Sequence, residues 1–317
     1  MNVADLLSYA DIQQLNRMAE RLDCRCNTHS KKQLIQTILL QMKQRGIFGT
    51  ELHELADEEM LFLMLLVFDR REWFSMEELL AKASTAVAHV GTPRPLRQLV
   101  AEALASGWLF RGVHRGTHDL FRIPRDLAEE VISQIRTDYS RRLQLLPQPP
   151  TLWRDEGDSI LSDIRVFLAY VHQHDVSLTT GKVMYKRHLQ QILKRLAIQE
   201  SLPEPGWRFG YGYHFTHYPD RFSLIYDVCL VQGLIREQED GLKLTNKGVQ
   251  VLQEPESLGM VPVYRTWMRI YKYPIPLLPV LSHLIGLLCD RWVVTSSLLD
   301  VLRPWLNSYY YDSPEQV

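Results

Sequence analysis

The fold is decided by residues 221–252, which read RFSLIYDVCLVQGLIREQEDGLKLTNKGVQVL. An apolar helix is predicted over the first part, up to Gly233. Two short strands, LIREQ and LKLT, then flank the turn residues EDG, which is the pattern of a β-hairpin. The last part, NKGVQVL, predicts a short closing helix. Helix, hairpin and helix in this order predict a small helical domain with one β-ribbon.

The residues before this stretch complete the domain. The segment SDIRVFLAYVHQH predicts a helix and VSL a short strand, and SLTTGKVMYKRHLQQILKRL (177–196) predicts a Thr-Thr-Gly-Lys corner followed by a basic helix. This order is that of a winged-helix domain, which we place at residues 161–255. No acidic residue lies between Asp175 and Glu200, so the charge of the basic helix is not cancelled locally. Its candidate nucleic-acid contacts are Lys182, Lys186, Arg187, Lys194 and Arg195.

The Gly-Lys pair of this corner resembles part of a nucleotide-binding loop. Such a loop needs a glycine where this chain has Val176 and a Ser or Thr where it has Val183, because backbone amides wrap the phosphates and the hydroxyl holds magnesium. The sequence therefore excludes a phosphate loop. The basic helix behind it is predicted to contact phosphate backbone rather than to specify sequence.

Residues 51–145 repeat the order and predict a first winged-helix domain. Helices are predicted over ADEEMLFLMLLVFD, SMEELLAKAS and PRPLRQLVAEALASG, the third capped by Thr92 with Pro93 in its first turn. The segment WLFRGVHRGTHDLFRIP has two apolar-aromatic strands around a glycine-bounded turn, as a wing requires. Winged helices turn this helix and wing toward nucleic acid, and a solvated surface is the alternative. The basic residues there are Arg94, Arg97, Arg111 and Arg115.

Residues 1–50 predict a helical hairpin. Two amphipathic helices, DIQQLNRMAERL and KKQLIQTILLQM, are joined by the loop CRCNTH, and Ser30 stands at the N-cap of the second. This pattern is similar to SAP-like and Rho-N-like modules, small hairpins that often contact nucleic-acid backbone. The resemblance implies that Lys31 and Lys32 contact phosphate, and a plain packing hairpin is the alternative.

The remaining segments predict a linker and a tail. Prolines, a glycine and acidic residues mark residues 146–160 as a linker. Residues 256–317 predict a partial third helical unit that is poorly packed or completed by a partner. The mainly α fold predicted for the whole chain is therefore a helical hairpin followed by tandem winged-helix units with small β-hairpin wings.

Neither the composition nor the motifs of the sequence favour any class of enzyme. The chain has 317 residues and a net charge of −1, so any basic surface must be local. Four scattered cysteines fit a reducing cytoplasm, and no signal segment or membrane span is expected. The pattern around Cys24, Cys26 and His29 lacks the second ligand pair of a zinc site, and no hydrolase motif is present. We expect no enzymatic activity, no cofactor and no metal.

A loop rich in glycine and aromatic residues, LPEPGWRFGYGYHFTHYP, lies before the apolar helix RFSLIYDVCLVQ of the second domain. Its rings could stack on bases, fold back as a lid over the domain core, or dock a protein. The candidate docking residues are Trp207, Phe209, Tyr211 and Tyr213.

Residues 163–252 resemble the bacterial helicase-associated domain family related to the N-terminal region of XPB-type helicases. The similarity lies in SLTTGKVMYKRHLQQILKRL, like the family's Leu-Thr-x-x-Gly corner and basic helix, and in YDVCLVQGLIREQEDGLKLTNKGVQVL, like its helix, Gly-Leu, hairpin and Leu-Thr-x-x-Gly ending. The resemblance implies a non-catalytic winged-helix protein in DNA transactions. No Walker loop is present in the sequence, so no motor activity is implied.

Together these patterns predict a non-enzymatic DNA-binding or DNA-associated accessory protein of a bacterial cytoplasm or nucleoid, serving transcription, replication or repair. The alternative is a scaffold that docks a polymerase or helicase through its wings and aromatic loop. One feature opposes base reading by the usual helix: in RFSLIYDVCLVQ only Arg221 and Asp227 are charged, whereas base readout needs projecting polar side chains.

Overall fold

A computed structural model describes residues 1–24, 26–45, 52–69, 71–112, 119–152, 155–204, 210, 212–239, 241–271 and 275–306. The protein is mainly helical with small antiparallel sheets of two and three strands, so the predicted class is confirmed. The chain divides into two compact units: Met1–Pro149 with Pro279–Val317, and Pro150–Leu278. The division at residues 149 and 150 lies inside the segment that composition marks as a linker.

The first unit begins with α1 (Val3–Tyr9), α2 (Ile12–Arg21) and α3 (Lys31–Arg45). The hairpin of α2 and α3 is predicted from the sequence and is confirmed. Its predicted cap is present too, since the Ser30 hydroxyl accepts the Gln33 N–H at 3.4 Å. The sequence did not predict α1, whose Val3 N–H donates to Asp126 at 2.9 Å. That contact joins residues far apart in the chain, which is why local patterns do not reveal it.

The middle of the first unit comprises α4 (Asp57–Val67), β1 (Phe74–Ser75), α5 (Met76–Val90), α6 (Leu96–Ala105), β2 (Phe110–Arg111), β3 (Leu120–Arg122) and α7 (Arg125–Ser140), after a short 3₁₀ turn at Leu52–Glu54. The three strands form one antiparallel sheet in the order β1-β3-β2. Thr92 was predicted to cap α6, and this is wrong, because the helix begins at Leu96 with Pro95 at the cap. Prolines at 93 and 95 disfavour helical backbone in the residues before them, so the helix starts late.

The second unit contains α8 (Ser159–Gln173), α9 (Lys186–Leu193), α10 (Asp220–Val231), β4 (Ile235–Gln238), β5 (Gly241–Leu244), α11 (Asn246–Gln253) and α12 (Met260–Tyr271), with a 3₁₀ turn at Pro255–Ser257. Val176 pairs antiparallel with Leu242 of β5, whose N–H donates to the Val176 carbonyl at 2.8 Å. Thus the segment before α9 adds to the hairpin through its second strand. Along the chain, a helix, a short extended segment, two helices and a hairpin follow one another in the same order as in the first unit.

The core of the second unit is aromatic and aliphatic. Phe167 packs edge-on against Phe222, with ring centroids 5.2 Å apart. The ring centroid of Tyr226 lies 6.1 Å from that of Phe167. These side chains are fully buried, together with Ile192 and Leu234. Because α8, α9, α10 and the hairpin all contribute to one core, their relative placement is fixed by apolar burial.

The C-terminal part returns to the first unit as α13 (Leu278–Leu288) and α14 (Thr295–Leu302), followed by a 3₁₀ turn at Arg303–Trp305. The His283 ring stacks on Phe68 with centroids 5.4 Å apart, and the Trp305 indole N–H donates to Tyr139 at 3.0 Å. Residues 279–306 therefore pack with the N-terminal helices, whereas the sequence places them in a separate partial unit. The predicted tail beyond residue 306 lies outside the described residues.

Candidate nucleic-acid interface

The corner before α9 is a tight turn held by the backbone. Leu178 and Met184 form an antiparallel bridge, and the Thr179 N–H donates to the Val183 carbonyl at 2.8 Å. Lys182 lies within this turn in the left-handed region, at φ 60°. The Met184 N–H donates to the Tyr218 hydroxyl at 2.8 Å, which anchors the corner to the core. The Gly-Lys pair is therefore part of a tight turn that fixes the direction in which α9 begins.

Helix α9 is strongly two-sided. His188, Leu189, Ile192 and Leu193 are buried against the core, which follows from their spacing along the helix. The opposite side is exposed and carries polar residues, and we call it the α9 face. Among the described residues, no carboxylate lies within ion-pairing distance of its cations. The α9 face consists of Lys186, Arg187, Gln190, Gln191, Lys194 and Arg195.

Tyr170 of α8 supports the α9 face from below. Its hydroxyl donates to Gln191 Oε1 at 2.7 Å and contacts His188 Nδ1 at 2.9 Å. The Arg195 guanidinium lies over the Tyr170 ring, 5.2 Å from its centroid. Burial lowers the pKa of His188, and the nearby Arg187 guanidinium lowers it further, so both favour the uncharged imidazole. These contacts with Tyr170 thus restrict the side-chain conformations of Gln191 and Arg195 in the α9 face.

Helices α3 and α9 each begin with two cations, where the helix dipole disfavours positive charge. Lys186 and Arg187 open α9, and Lys31 and Lys32 open α3, with all four side chains exposed. The N-terminus of a helix carries partial positive charge, so a cation there costs a few tenths of a kcal/mol to about 1 kcal/mol. A bound phosphate would turn this repulsion into attraction, because it interacts with both the dipole and the side chains.

Arg94 is placed differently from the other predicted contacts. Its guanidinium lies 3.0 Å from Glu58 and 2.8 Å from Glu59, and it also pairs with Glu102. The side chain is only 19% exposed. The prediction that Arg94 contacts nucleic acid is therefore corrected, because three carboxylates of the first unit neutralise its charge. This pairing crosses α4 and α6, which sequence spacing does not show.

The remaining predicted cations of the first unit lie on separate elements. Arg97 is exposed on α6, and Arg111 is exposed on β2 with its guanidinium 5.8 Å from the centre of the Phe121 ring. Arg115 lies outside the described residues. With Arg94 neutralised, the first unit presents a weaker candidate surface than the α9 face.

Helix α10 is buried on several sides. Phe222, Ile225, Tyr226 and Cys229 face the core. Another side is covered by residues 212–218, in which His214 and Tyr218 are buried. The helix also packs against α12. The burial of α10 agrees with its apolar sequence, which has few of the polar side chains that base readout needs.

The described part of the aromatic loop packs onto α10. The Tyr213 N–H donates to Asp227 at 3.1 Å, and the His214 ring lies 5.2 Å from that of Tyr218. Burial raises the pKa of Asp227 to about 6, although the Tyr213 N–H partly opposes this. The predicted lid is present for residues 212–218. Of the predicted docking residues, Tyr213 is 64% exposed, and Trp207, Phe209 and Tyr211 lie outside the described residues.

A cleft of about 610 Å³ in the second unit was not predicted from the sequence. It lies between the C-terminal end of α8 and the β4–β5 hairpin. We call it the hairpin cleft. Arg236 and Lys243 are cross-strand partners in the β4–β5 hairpin. The alternation of side chains on either side of the EDG turn could have predicted this pair from the sequence. Its polar walls are formed by His172, Gln173, His174, Asp175, Arg236, Gln238 and Lys243.

In the described ranges, no three His, Cys, Asp or Glu side chains come together as they do around a metal ion. No helix within those ranges has the length and apolar character needed to cross a membrane. Comparison of the chain with protein-family models, with curated proteins and with solved structures gives no match in any of the three.

Proposed function

We propose that the protein is a non-enzymatic DNA-binding accessory factor built from two winged-helix-like units. Its contacts would be dominated by the DNA backbone and made through the α9 face. The observation that carries this proposal is the set of four exposed cations of the α9 face, whose charge no described carboxylate neutralises. The repeated order of helix, strand, two helices and hairpin in both units supports it, as does the resemblance of residues 163–252 to the helicase-associated family.

Phosphate contact fits the α9 face better than base readout does. Lys186 and Arg187 combine side-chain charge with the positive end of the helix, which suits an oxyanion. The usual reading helix, α10, is covered by residues 212–218 and α12. Binding carried by phosphate contacts is weakly sequence-specific and depends steeply on salt, because each neutralised phosphate releases counterions.

The test is a salt titration of binding to a fluorescein-labelled random duplex, followed by anisotropy. Replacing Lys186, Arg187, Lys194 and Arg195 by Ala should abolish binding at moderate salt. It should also reduce the slope of log Kd against log salt by up to about 4. The matched control replaces four other exposed arginines by Ala and so removes the same charge. These are Arg125, Arg141, Arg265 and Arg269. Absent wild-type binding at low salt, or equal losses in both variants, would refute the proposal.

A protein-docking scaffold is the second candidate. The exposed Tyr213 ring favours it, because large exposed aromatic side chains are common at the centres of interfaces. Capture of a polymerase or helicase should then survive nuclease treatment and be lost on Tyr213→Ser. Capture that disappears with nuclease would instead assign the association to shared DNA.

A further inference from the structure

Two exposed tyrosine side chains flank the corner that precedes α9. Tyr185 is the N-cap residue of α9 and is 49% exposed, and Tyr213 of the loop over α10 is 64% exposed. Single exposed aromatic side chains are common on protein surfaces and need no explanation by themselves. These two rings differ because each is carried by backbone that other contacts hold in place, close to the cations of the α9 face.

The backbone that carries both rings is fixed by hydrogen bonds. The Tyr185 carbonyl oxygen accepts the His188 N–H at 2.9 Å, at the start of α9. The Tyr213 N–H donates to Asp227 at 3.1 Å, and the Tyr213 ring packs edge-on against His214 with centroids 4.4 Å apart. Groups that are already held in place lose little conformational freedom when a ligand binds, so the entropic cost of binding is low.

The two tyrosines belong to segments that contact each other directly. The Tyr218 hydroxyl accepts the Met184 N–H at 2.8 Å, which joins the loop to the residue before Tyr185. The Tyr218 N–H in turn donates to the His214 carbonyl oxygen at 2.9 Å, so a single turn separates Tyr218 from Tyr213. The two rings therefore lie within one compact part of the second unit, at the N-terminal end of α9.

The cations of the α9 face begin immediately after Tyr185. Lys186 and Arg187 are exposed, and the helix carries partial positive charge at this end. Proteins that bind single strands combine a basic surface, which follows the phosphates, with aromatic rings that stack on the bases. In a duplex the base faces are covered by neighbouring base pairs, and unstacking them costs free energy. Exposed rings beside phosphate-binding cations therefore fit an unpaired strand better than a duplex.

We infer, resting on the proposed function, that the α9 face takes single-stranded DNA in preference to duplex. Bases of the strand stack on Tyr185 and Tyr213, while its phosphates contact Lys186 and Arg187. Such stacking is tolerant of sequence, because every base has a π-face. A duplex is then bound through phosphate contacts alone, and more weakly.

An oligo-dT strand and an abasic strand of the same length test this inference, because both carry the same backbone charge and only the first carries bases. A length of about 20 nucleotides exceeds the usual binding sites of about 4–16 nucleotides. In anisotropy titrations at one salt concentration, the wild-type protein should bind oligo-dT at least about tenfold more tightly than the abasic strand. It should also bind oligo-dT more tightly than the random duplex.

Variants of the full chain assign the difference to the two rings. Tyr185→Ala and Tyr213→Ala should each weaken oligo-dT binding at least about fivefold and leave affinity for the abasic strand unchanged. Tyr185→Phe and Tyr213→Phe should keep wild-type affinity, because the ring is retained. The matched control is Tyr9→Ala, which removes a ring of the first unit that is 54% exposed.

The outcomes separate this inference from the proposed function. If the abasic strand binds as tightly as oligo-dT, or if either alanine variant keeps wild-type affinity for oligo-dT, the inference is overturned and duplex binding through the α9 face stands. An equal loss in Tyr9→Ala, or tighter binding to the duplex, also overturns it. Lost protein capture with unchanged oligo-dT affinity in Tyr213→Ala would assign that ring to a protein partner.

If the wild-type protein binds neither duplex nor single strand, both proposals fall. The comparison of oligo-dT with the abasic strand uses the wild-type protein, so it decides the question even where an alanine variant does not fold. Thermal unfolding of each variant, expected within a few degrees of the wild type, shows that folding does not cause the differences.

Discussion

The Tyr213 backbone N–H donates to the Asp227 carboxylate at 3.1 Å, and this contact fastens residues 212–218 onto α10. A carboxylate in the middle of an apolar helix would otherwise be an expensive buried group. Next to it, the Met184 N–H donates to Tyr218 of the same loop. The segment that covers α10 thus also holds the corner that precedes α9.

Asp227→Asn should stabilise the second unit at neutral pH and leave it nearly unchanged near pH 4. The folded pKa, about 6, lies above the ordinary 3.8, so folding favours the protonated carboxyl. That stabilisation is present below pH 3.8 and is lost as pH rises to 6. Asn stays neutral, and its gain above pH 6 should approach about 3 kcal/mol. Urea unfolding between pH 4 and pH 8 measures it, and a pH-independent difference would contradict the assignment.

Gly212→Ala should loosen the loop from α10. Gly212 has φ 103°, and a Cβ there would lie 2.6 Å from both Asp227 Oδ2 and Ser223 Oγ. We expect a loss of about 2–3 kcal/mol, from backbone strain and the clash together. Gly233→Ala is the matched control, since φ is 67° but the space is open, so only strain of about 1 kcal/mol is expected. Hydrogen exchange of amides 212–218 should speed up in the first variant only.

Arg94→Gln should destabilise the first unit without affecting DNA binding. The substitution leaves Glu58, Glu59 and Glu102 close together with no cation between them. Breaking such a partly buried cluster should cost about 2 kcal/mol. Urea unfolding measures the cost, and duplex affinity should match the wild type. A loss of affinity with unchanged stability would restore Arg94 to the interface.

Trp305→Ala should unfold the first unit more easily and leave the second unit intact. The indole is buried, stacks on His89 with centroids 6.5 Å apart, and donates to Tyr139. Its removal should cost about 3–5 kcal/mol. Trp292→Ala, at a side chain that is 43% exposed, should cost much less. Hydrogen exchange should show lost protection in α7 and α14, whereas equal loss in α8 and α10 would contradict the division into units.

Most of the helices and the exposed surface of α9 followed from local sequence, whereas α1 and the start of α6 did not. Side chains three and four residues apart share a helix face, so the spacing in KRHLQQILKRL already separates buried His188 and Leu189 from exposed Arg187 and Lys194. Thr245 likewise caps α11, accepting the Gly248 N–H at 3.1 Å, and the β4–β5 hairpin surrounds its turn as predicted. These features depend on neighbours within a few residues, which the sequence displays directly.

The partners of distant side chains were decided only by the tertiary structure. Arg94 looked like a free cation until α4 and α6 placed three carboxylates around it. Residues 279–306 read as a separate unit, yet they bury Trp305 against the first. The hairpin cleft exists because α8 and the hairpin share one core. Sequence spacing determines which side chains share a face of a helix or strand. Long-range packing determines which other residues contact that face, because burial of apolar surface brings together segments that are far apart in the chain.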